Sequence, residues 1–153
     1  VRVRNHPGAT VEDLIDHARA HTRNVQHDGI IIMAGHNDIS INNRDENKNQ
    51  PKRDTISHMQ ALIRQMKAVT PDNTHIAICQ VTGRKDQKGI MKDVNEMNVQ
   101  FKQLAQREQV GFVSTSNFDP FKHTGKKGVH PNEKGIDSIF NTLEKYTRKI
   151  SRL

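Results

Sequence analysis

Gly29-Ile30-Ile31-Ile32-Met33-Ala34-Gly35-His36-Asn37-Asp38-Ile39 is the most informative stretch of this chain. Its apolar residues run without a break over residues 30–34, are β-branched at the front and are too few for a helix of ordinary length. Such a run predicts a short strand that is buried on both faces, as inside a parallel sheet. Polar residues follow at once, and in an open α/β sheet the site lies just outside the carboxyl ends of the strands. A plain polar turn accounts for the same residues, because Gly, Asn and Asp all favour turns.

Strand-like and helix-like segments alternate along the rest of the chain. Strands are predicted at residues 1–4, 30–34, 75–81 and 110–113, helices at residues 10–23, 54–69, 91–108 and 132–150, and polar loops at residues 40–52, 82–89 and 114–131. The alternation predicts one domain over residues 1–153, an α/β fold with three α/β/α layers and a mainly parallel sheet. Residues 30–34 and 75–81 are the predicted central strands.

The composition indicates a small core and a basic surface. Hydrophobic residues make up 33% of the 153 residues, and 24 Lys+Arg against 17 Asp+Glu give a net charge of +7. A basic balance favours polyanionic partners such as RNA, DNA or anionic lipid. A domain that carries surplus surface lysines explains the charge equally well.

The single cysteine, Cys79, lies inside an apolar, strand-like run. A lone buried thiol forms no disulfide and fits a reducing compartment, which predicts an intracellular, cytoplasmic protein. No apolar run is long enough to span a membrane, and no signal peptide is visible. The chain does not begin with Met, which is compatible with a missing leader or N-terminal piece.

Few residues indicate a metal or a cofactor. His17 and His21 are four residues apart on the first predicted helix, a spacing that can bind a metal, but no third ligand is evident and a solvated helix face is the preferred interpretation. There is no G-x-G-x-x-G after a strand and no G-x-x-x-x-G-K. The sequence therefore supports neither a dinucleotide site nor a P-loop, and we expect no metal and no cofactor.

A second polar stretch leads into the last predicted helix. It reads Gly125-Lys126-Lys127-Gly128-Val129-His130-Pro131-Asn132-Glu133-Lys134-Gly135. A histidine held at a helix start can act as a general base. Three motifs follow one another in an order that resembles the SGNH (GDSL-type) hydrolase superfamily. They are Gly8 in a turn before a helix, Gly35-x-Asn37-Asp38 after a strand, and His130-Pro131-Asn132 before the last helix. The resemblance covers nearly the whole chain, and its motifs are fairly specific in combination.

The resemblance implies a flavodoxin-like sheet and a serine esterase or acetylhydrolase that acts on a small-molecule or lipid ester. In that superfamily, an oxyanion hole built from the serine amide, a glycine amide and an asparagine side chain stabilises the charge that develops on the carbonyl oxygen. Carried over, the glycine is Gly8, the asparagine is Asn37, and the base that activates the serine is His130. The supporting loop is formed by Gly35, His36 and Asp38.

Two departures from the family pattern weaken the enzyme interpretation. The Gly-Asp-Ser motif that carries the nucleophile occurs nowhere in the chain, which matches the family from its second strand onward. The family's aspartate, three residues before the histidine, is replaced by Lys127, which cannot accept the imidazole N–H and opposes the imidazolium. Asp119 is the nearest upstream acid that could substitute, and in part of the superfamily a serine–histidine pair suffices.

A sheet without its first strand leaves backbone groups unpaired. We therefore expect the sequence to be an N-terminally incomplete piece of a longer chain, similar to the esterase-like domains of some LINE-like retrotransposons. Three functions stay open: an esterase whose serine lies upstream, an inactive domain that binds RNA or another polyanion through its basic loops, and a plain interaction module. The residues before Val1 would separate the first from the others, and salt-dependent RNA binding would separate the second from the third.

Overall fold

The computed structural model describes residues 2–22, 28–44 and 49–152. In chain order its elements are α1 Val11–Thr22, β1 Gly29–Ile32, α2 His36–Asn42, α3 Thr55–Val69, β2 His75–Cys79, α4 Ile90–Arg107, β3 Gly111–Val113, α5 Pro120–His123 and α6 Glu133–Ile150. The described residues form two compact units. The first contains α1, α2 and α3, and the second contains the three strands with α4, α5 and α6.

The second unit is built on one parallel sheet of order β1-β2-β3. Ile31 pairs with Ala77 in β2, and Ala77 pairs in turn with Gly111 in β3. Parallel neighbours require crossover connections, and a helix lies between each pair of successive strands along the chain. The predicted α/β fold with a parallel sheet is confirmed.

Both faces of the central strand β2 are covered. On one face, Ala77 and Cys79 form a core with Val113 of β3, and Leu143 and Tyr146 of α6 pack against it. The alternating side chains Ile76 and Ile78, at 5% and 0% exposure, are buried on the other face. Burial raises the pKa of the Cys79 thiol to about 12, which favours the neutral thiol at this core position.

The sheet differs from the prediction at β1. Among the described residues this strand pairs with β2 alone, whereas a central position was predicted. Ile30 and Ile31 are only half-buried, Ile32 is buried, and Met33 is 46% exposed just after the strand. The central position predicted for residues 75–81 is confirmed at β2. Burial on both faces, predicted for residues 30–34, is only partial at β1, because a continuous apolar run does not reveal how many neighbours a strand has.

The N-terminal strand predicted at residues 1–4 is also wrong for its described part. Residues 2–4 form no strand, and the side chain of Val3 is 70% exposed. An alternating pattern becomes a strand only where a neighbouring strand accepts its hydrogen bonds and a core covers its apolar face, and Val3 has no such cover. Val1 lies outside the described residues.

The polar segment after β1 is more helical than its composition predicts. Residues 40–42, assigned to a loop from the sequence, continue α2, which begins at His36. Gly35 precedes the helix with φ 117°, a backbone conformation that side-chain-bearing residues rarely adopt, and its carbonyl accepts from the Ile39 amide. The buried Ile39 anchors the helix, and α5 likewise interrupts the loop predicted at residues 114–131.

The other helices begin and end close to their predicted positions. Asp54 caps α3 by accepting a hydrogen bond from the Ser57 amide, and Asn132 caps α6 by accepting from the Gly135 amide. At α1, Thr10 acts as the predicted cap, since its hydroxyl accepts from the Asp13 amide while the Asp13 carboxylate accepts from the Thr10 amide. The predicted end of α1 at Arg23 lies outside the described residues.

Candidate functional site

In the first unit, the structure brings Asn37 next to Gly8. The Asn37 side-chain amide donates one hydrogen bond, 2.8 Å long, to the carbonyl of Ala9, the residue that follows Gly8. A side-chain amide carries two N–H groups, so a second one stays available for another acceptor. The Gly8 amide donates to no acceptor in the described part of the chain, and Gly8 is exposed. The Asn37 side chain is thus tied to the residue that follows Gly8, and each of Asn37 and Gly8 keeps an N–H group without an acceptor in the described residues.

The residues around Asn37 position it through α2. Gly35 is buried and precedes the first turn of α2, with its carbonyl accepting from the Ile39 amide. His36 is the first residue of α2, is half-buried, and its carbonyl accepts from the Ser40 hydroxyl at 3.1 Å. Gly35 and His36 precede Asn37 at the start of α2, and their role as a supporting loop stays a prediction.

Asp38 is the fully buried polar residue that ties the first unit together. Its carboxylate accepts from the Val11 amide at 3.1 Å and from the Thr55 hydroxyl at 3.2 Å, so it joins the first turns of α1 and α3 to α2. Desolvation of the buried carboxylate raises the pKa of Asp38 despite these hydrogen bonds. Thr55 was not singled out from the sequence, although a Ser or Thr near a helix start is a recognisable signal.

Replacing Asp38→Ala should destabilise the chain by about 2–4 kcal/mol, because the Val11 amide and the Thr55 hydroxyl each lose their buried acceptor. Denaturant unfolding followed by circular dichroism measures the change. Asp72→Ala, at an exposed position, is the matched control and should change the free energy of unfolding by less than about 0.5 kcal/mol. Equal effects of the two variants would contradict the structural role of Asp38.

The raised pKa of Asp38 also predicts the sign of a pH dependence. The folded state holds this proton more tightly than the unfolded state, so this group's contribution to stability falls as pH rises from the ordinary aspartate value through the raised one. Asp38→Asn removes the titration. The free energy of unfolding of the wild type should therefore fall relative to that of Asp38→Asn as the pH rises across the acidic range.

In the second unit, His130 lies on a short loop held between α5 and α6. The His130 carbonyl accepts from the Gly125 amide at 2.9 Å, the Gly128 amide donates to the Gly125 carbonyl at 2.9 Å, and Thr124 forms an antiparallel bridge to Pro131. These are backbone contacts, and the His130 side chain is exposed. The loop therefore fixes the backbone of His130 and leaves its side chain exposed to solvent.

Asn132 holds this loop against both helices. Besides capping α6, its side-chain amide donates to the carbonyls of Lys122 at 2.9 Å and Thr124 at 3.1 Å. Gly135, one turn into α6, lies so close to the His123 carbonyl that a Cβ would collide with it. The sequence motif contains Asn132, but its role in tying α5 to α6 depends on carbonyls that only the fold brings within reach.

No carboxylate in the described part of the chain contacts the His130 ring. Lys127, at the position of the family's aspartate, is exposed on the turn before His130. The Asp119 carboxylate caps α5 by accepting from the Phe121 amide at 2.9 Å, and its backbone amide donates to His123. Asp119 is thus engaged elsewhere.

Of the two histidines considered for metal binding, the structure describes the side chain of His17 only. The His17 ring stacks on the His6 ring with 4.0 Å between centroids, and the side chain of His21 lies outside the described residues. Across residues 2–22, 28–44 and 49–152, no three His, Cys, Asp or Glu side chains are grouped to hold a metal ion. Nor does any helix of these ranges combine the length and hydropathy that crossing a bilayer requires.

Gly8 and Asn37 thus lie together in the first unit, and His130 lies in the second. The convergence of all three residues at the carboxyl end of the sheet stays a prediction.

Comparison with known proteins identifies similar families and folds. The family described as GDSL-like lipase/acylhydrolase matches residues 1–137 of the chain. No curated protein sequence matches it.

Solved structures of bacterial hydrolases share the fold. A GDSL-like lipase from Bacteroides thetaiotaomicron is 18% identical with a TM-score of 0.72, over 94% of this chain and 73% of its own. An acetylxylan esterase from Geobacillus stearothermophilus is 18% identical with a TM-score of 0.72, over 90% of this chain and 67% of its own. A putative acylhydrolase from Bacteroides fragilis is 21% identical with a TM-score of 0.71, over 94% of this chain and 72% of its own.

Proposed function

The chain belongs to the GDSL-like lipase/acylhydrolase family, and from this premise we propose that it forms the oxyanion-stabilising and base-bearing part of a carboxylic-ester hydrolase. The nucleophilic serine of this proposal is carried by a Gly-Asp-Ser segment upstream of Val1. The substrate class is a small-molecule or lipid ester.

The contact between Asn37 and Ala9 is the observation that carries the proposal. It orients the Asn37 amide and leaves one N–H of that amide for another acceptor, while the Gly8 amide, next to Ala9 in the chain, donates to no acceptor in the described residues. Donors held in place before the reaction stabilise a developing oxyanion without reorganising, which is why such sites contribute strongly to catalysis. A plain polar turn would not need both an oriented side-chain amide and a free backbone N–H.

The proposed chemistry is a two-step acyl transfer. The serine oxygen attacks the ester carbonyl carbon while His130 takes the serine proton, and the C–O bond to the alcohol then breaks as His130 returns that proton to the leaving oxygen. Water repeats the sequence on the acyl-serine and releases the acid. His130 works here as the base of a pair, since Lys127 occupies the position of the acid.

The test uses a longer version of the chain that carries the upstream serine. In that version, Asn37→Ala should lower kcat for an activated acyl ester by about 10²–10³-fold, because one oxyanion donor is lost. Asn141→Ala, on the exposed face of α6, is the matched control and should leave kcat unchanged.

Serine reactivity is followed in parallel with a fluorophosphonate label. If Asn37→Ala changes neither the labelling nor the turnover, Asn37 does not belong to the oxyanion hole.

A further inference from the structure

Four exposed lysines and one exposed aromatic ring form a surface in the second unit, which we call the basic platform: Lys85, Phe121, Lys122, Lys126 and Lys127. The Phe121 side chain is 78% exposed, the largest exposure among the large hydrophobic residues of the described chain. The Lys85 ammonium lies over its ring, 6.0 Å from the centroid, at the outer limit of a cation–π contact. A single exposed hydrophobic residue is common on protein surfaces, so it is the positive charge next to the ring that marks this surface as a candidate binding site.

Backbone contacts hold the platform in a defined shape. The Lys85 amide donates to the Gly128 carbonyl at 2.9 Å, which joins the loop after β2 to the turn that carries Lys126 and Lys127. Gly128 has φ 72°, and a Cβ there would meet the Lys85 Cγ at 2.6 Å, so the two loops touch through backbone. Lys122, next to Phe121, is fixed through its carbonyl by the Asn132 amide.

Within the part of the chain that the structure describes, the charge of the platform is not neutralised by ion pairs. None of its four lysines has a carboxylate within ion-pair distance in residues 2–22, 28–44 and 49–152, whereas Lys92 pairs with Glu96 on α4. The neighbouring Asp86 is occupied by the buried Arg84, at 2.9 and 2.7 Å. The platform therefore presents four exposed lysines without a carboxylate partner in the described residues, together with the exposed ring of Phe121.

We propose that the basic platform binds single-stranded nucleic acid, with the lysines on successive phosphates and a base stacked on Phe121. Aromatic rings that stack bases inside a cationic groove are the usual means of sequence-tolerant single-strand binding. An anionic membrane would also attract the lysines, but a lone aromatic side chain flanked by four cations offers little apolar area to insert. This binding is independent of the proposed ester hydrolysis, since it uses neither Gly8, Asn37 nor His130.

The test is fluorescence anisotropy of the full 153-residue chain with labelled 12-nucleotide oligo(U) and oligo(dT). We expect saturable binding of both, because the platform contacts phosphates and base faces, and a slope of log K against log[salt] of about −0.7 per phosphate, or about −3 for four lysines. Lys126→Gln/Lys127→Gln should reduce that slope by about half. Phe121→Ala should weaken binding by about tenfold through lost stacking.

Matched variants on α6 keep the proposal falsifiable. Lys145→Gln/Lys149→Gln changes the net charge equally, and Phe140→Ala removes another exposed ring, 54% exposed, and neither should reproduce the platform's effects. Circular dichroism checks that each variant is folded. Equal losses from the control variants, binding only to phosphatidylserine-containing vesicles, or no binding to either oligonucleotide would each overturn the proposal.

Discussion

The 153-residue chain should hydrolyse an activated acyl ester on the order of 10⁶-fold more slowly than a longer version that carries an upstream Gly-Asp-Ser serine. In a serine hydrolase, nucleophile and base act as a unit, so oxyanion donors and base without a nucleophile leave only residual catalysis. No serine of the chain lies in a Gly-Asp-Ser motif, and the buried Cys79 is held as a neutral thiol. Initial rates with an activated acyl ester, measured on both versions at equal concentration, give the ratio.

A fluorophosphonate probe supplies the second measurement, because it labels only an activated serine. The longer version should be labelled and the 153-residue chain should not, with the same chain denatured by heat as the blank. Robust turnover by the 153-residue chain that His130→Ala abolishes would show that a nucleophile lies within it.

His130→Ala should remove nearly all activity of the longer version, again on the order of 10⁶-fold in kcat, since the serine loses the base that takes its proton. The free energy of unfolding should change by less than about 0.5 kcal/mol, because His130 is exposed and contacts its loop through its backbone carbonyl, which alanine retains. Kinetics and denaturant unfolding of the same preparation separate the two effects.

Lys126→Ala is the control for this variant, since it alters an exposed side chain of the same loop and should leave kcat unchanged. Added imidazole offers a further check, because a small base that enters the vacated space should restore part of the activity of His130→Ala. Full activity after the substitution would exclude His130 as the base.

Most of the fold could be predicted from local pattern. Helices α3, α4 and α6 carry apolar residues at helical spacing, and their caps are chemically marked by residues such as Asp54 and Asn132. Strands β2 and β3 are short apolar runs bounded by polar residues. Because period and capping act within a few residues, these elements and the parallel α/β class follow from the sequence alone.

Whether a segment forms a strand, and how many neighbours that strand pairs with, could not be predicted in the same way. Ile30 and Ile31 look as apolar as Ile76 and Ile78, yet only the latter pair is buried on a strand with two neighbours. Residues 2–4 alternate as a strand does and form none. Pairing depends on segments far apart along the chain, and a local pattern contains no information about them.

The candidate site could likewise be predicted only in part. The residue types and their order, Gly8, Asn37 and His130, could be read from the sequence, as could the absence of a Gly-Asp-Ser motif and the lysine at position 127. Tertiary structure alone decided that Asn37 is oriented by the carbonyl of Ala9 and that Asp38 is a buried link between three helices. A motif names the groups that chemistry requires, but a hydrogen bond between residues 28 positions apart exists only once the chain has folded.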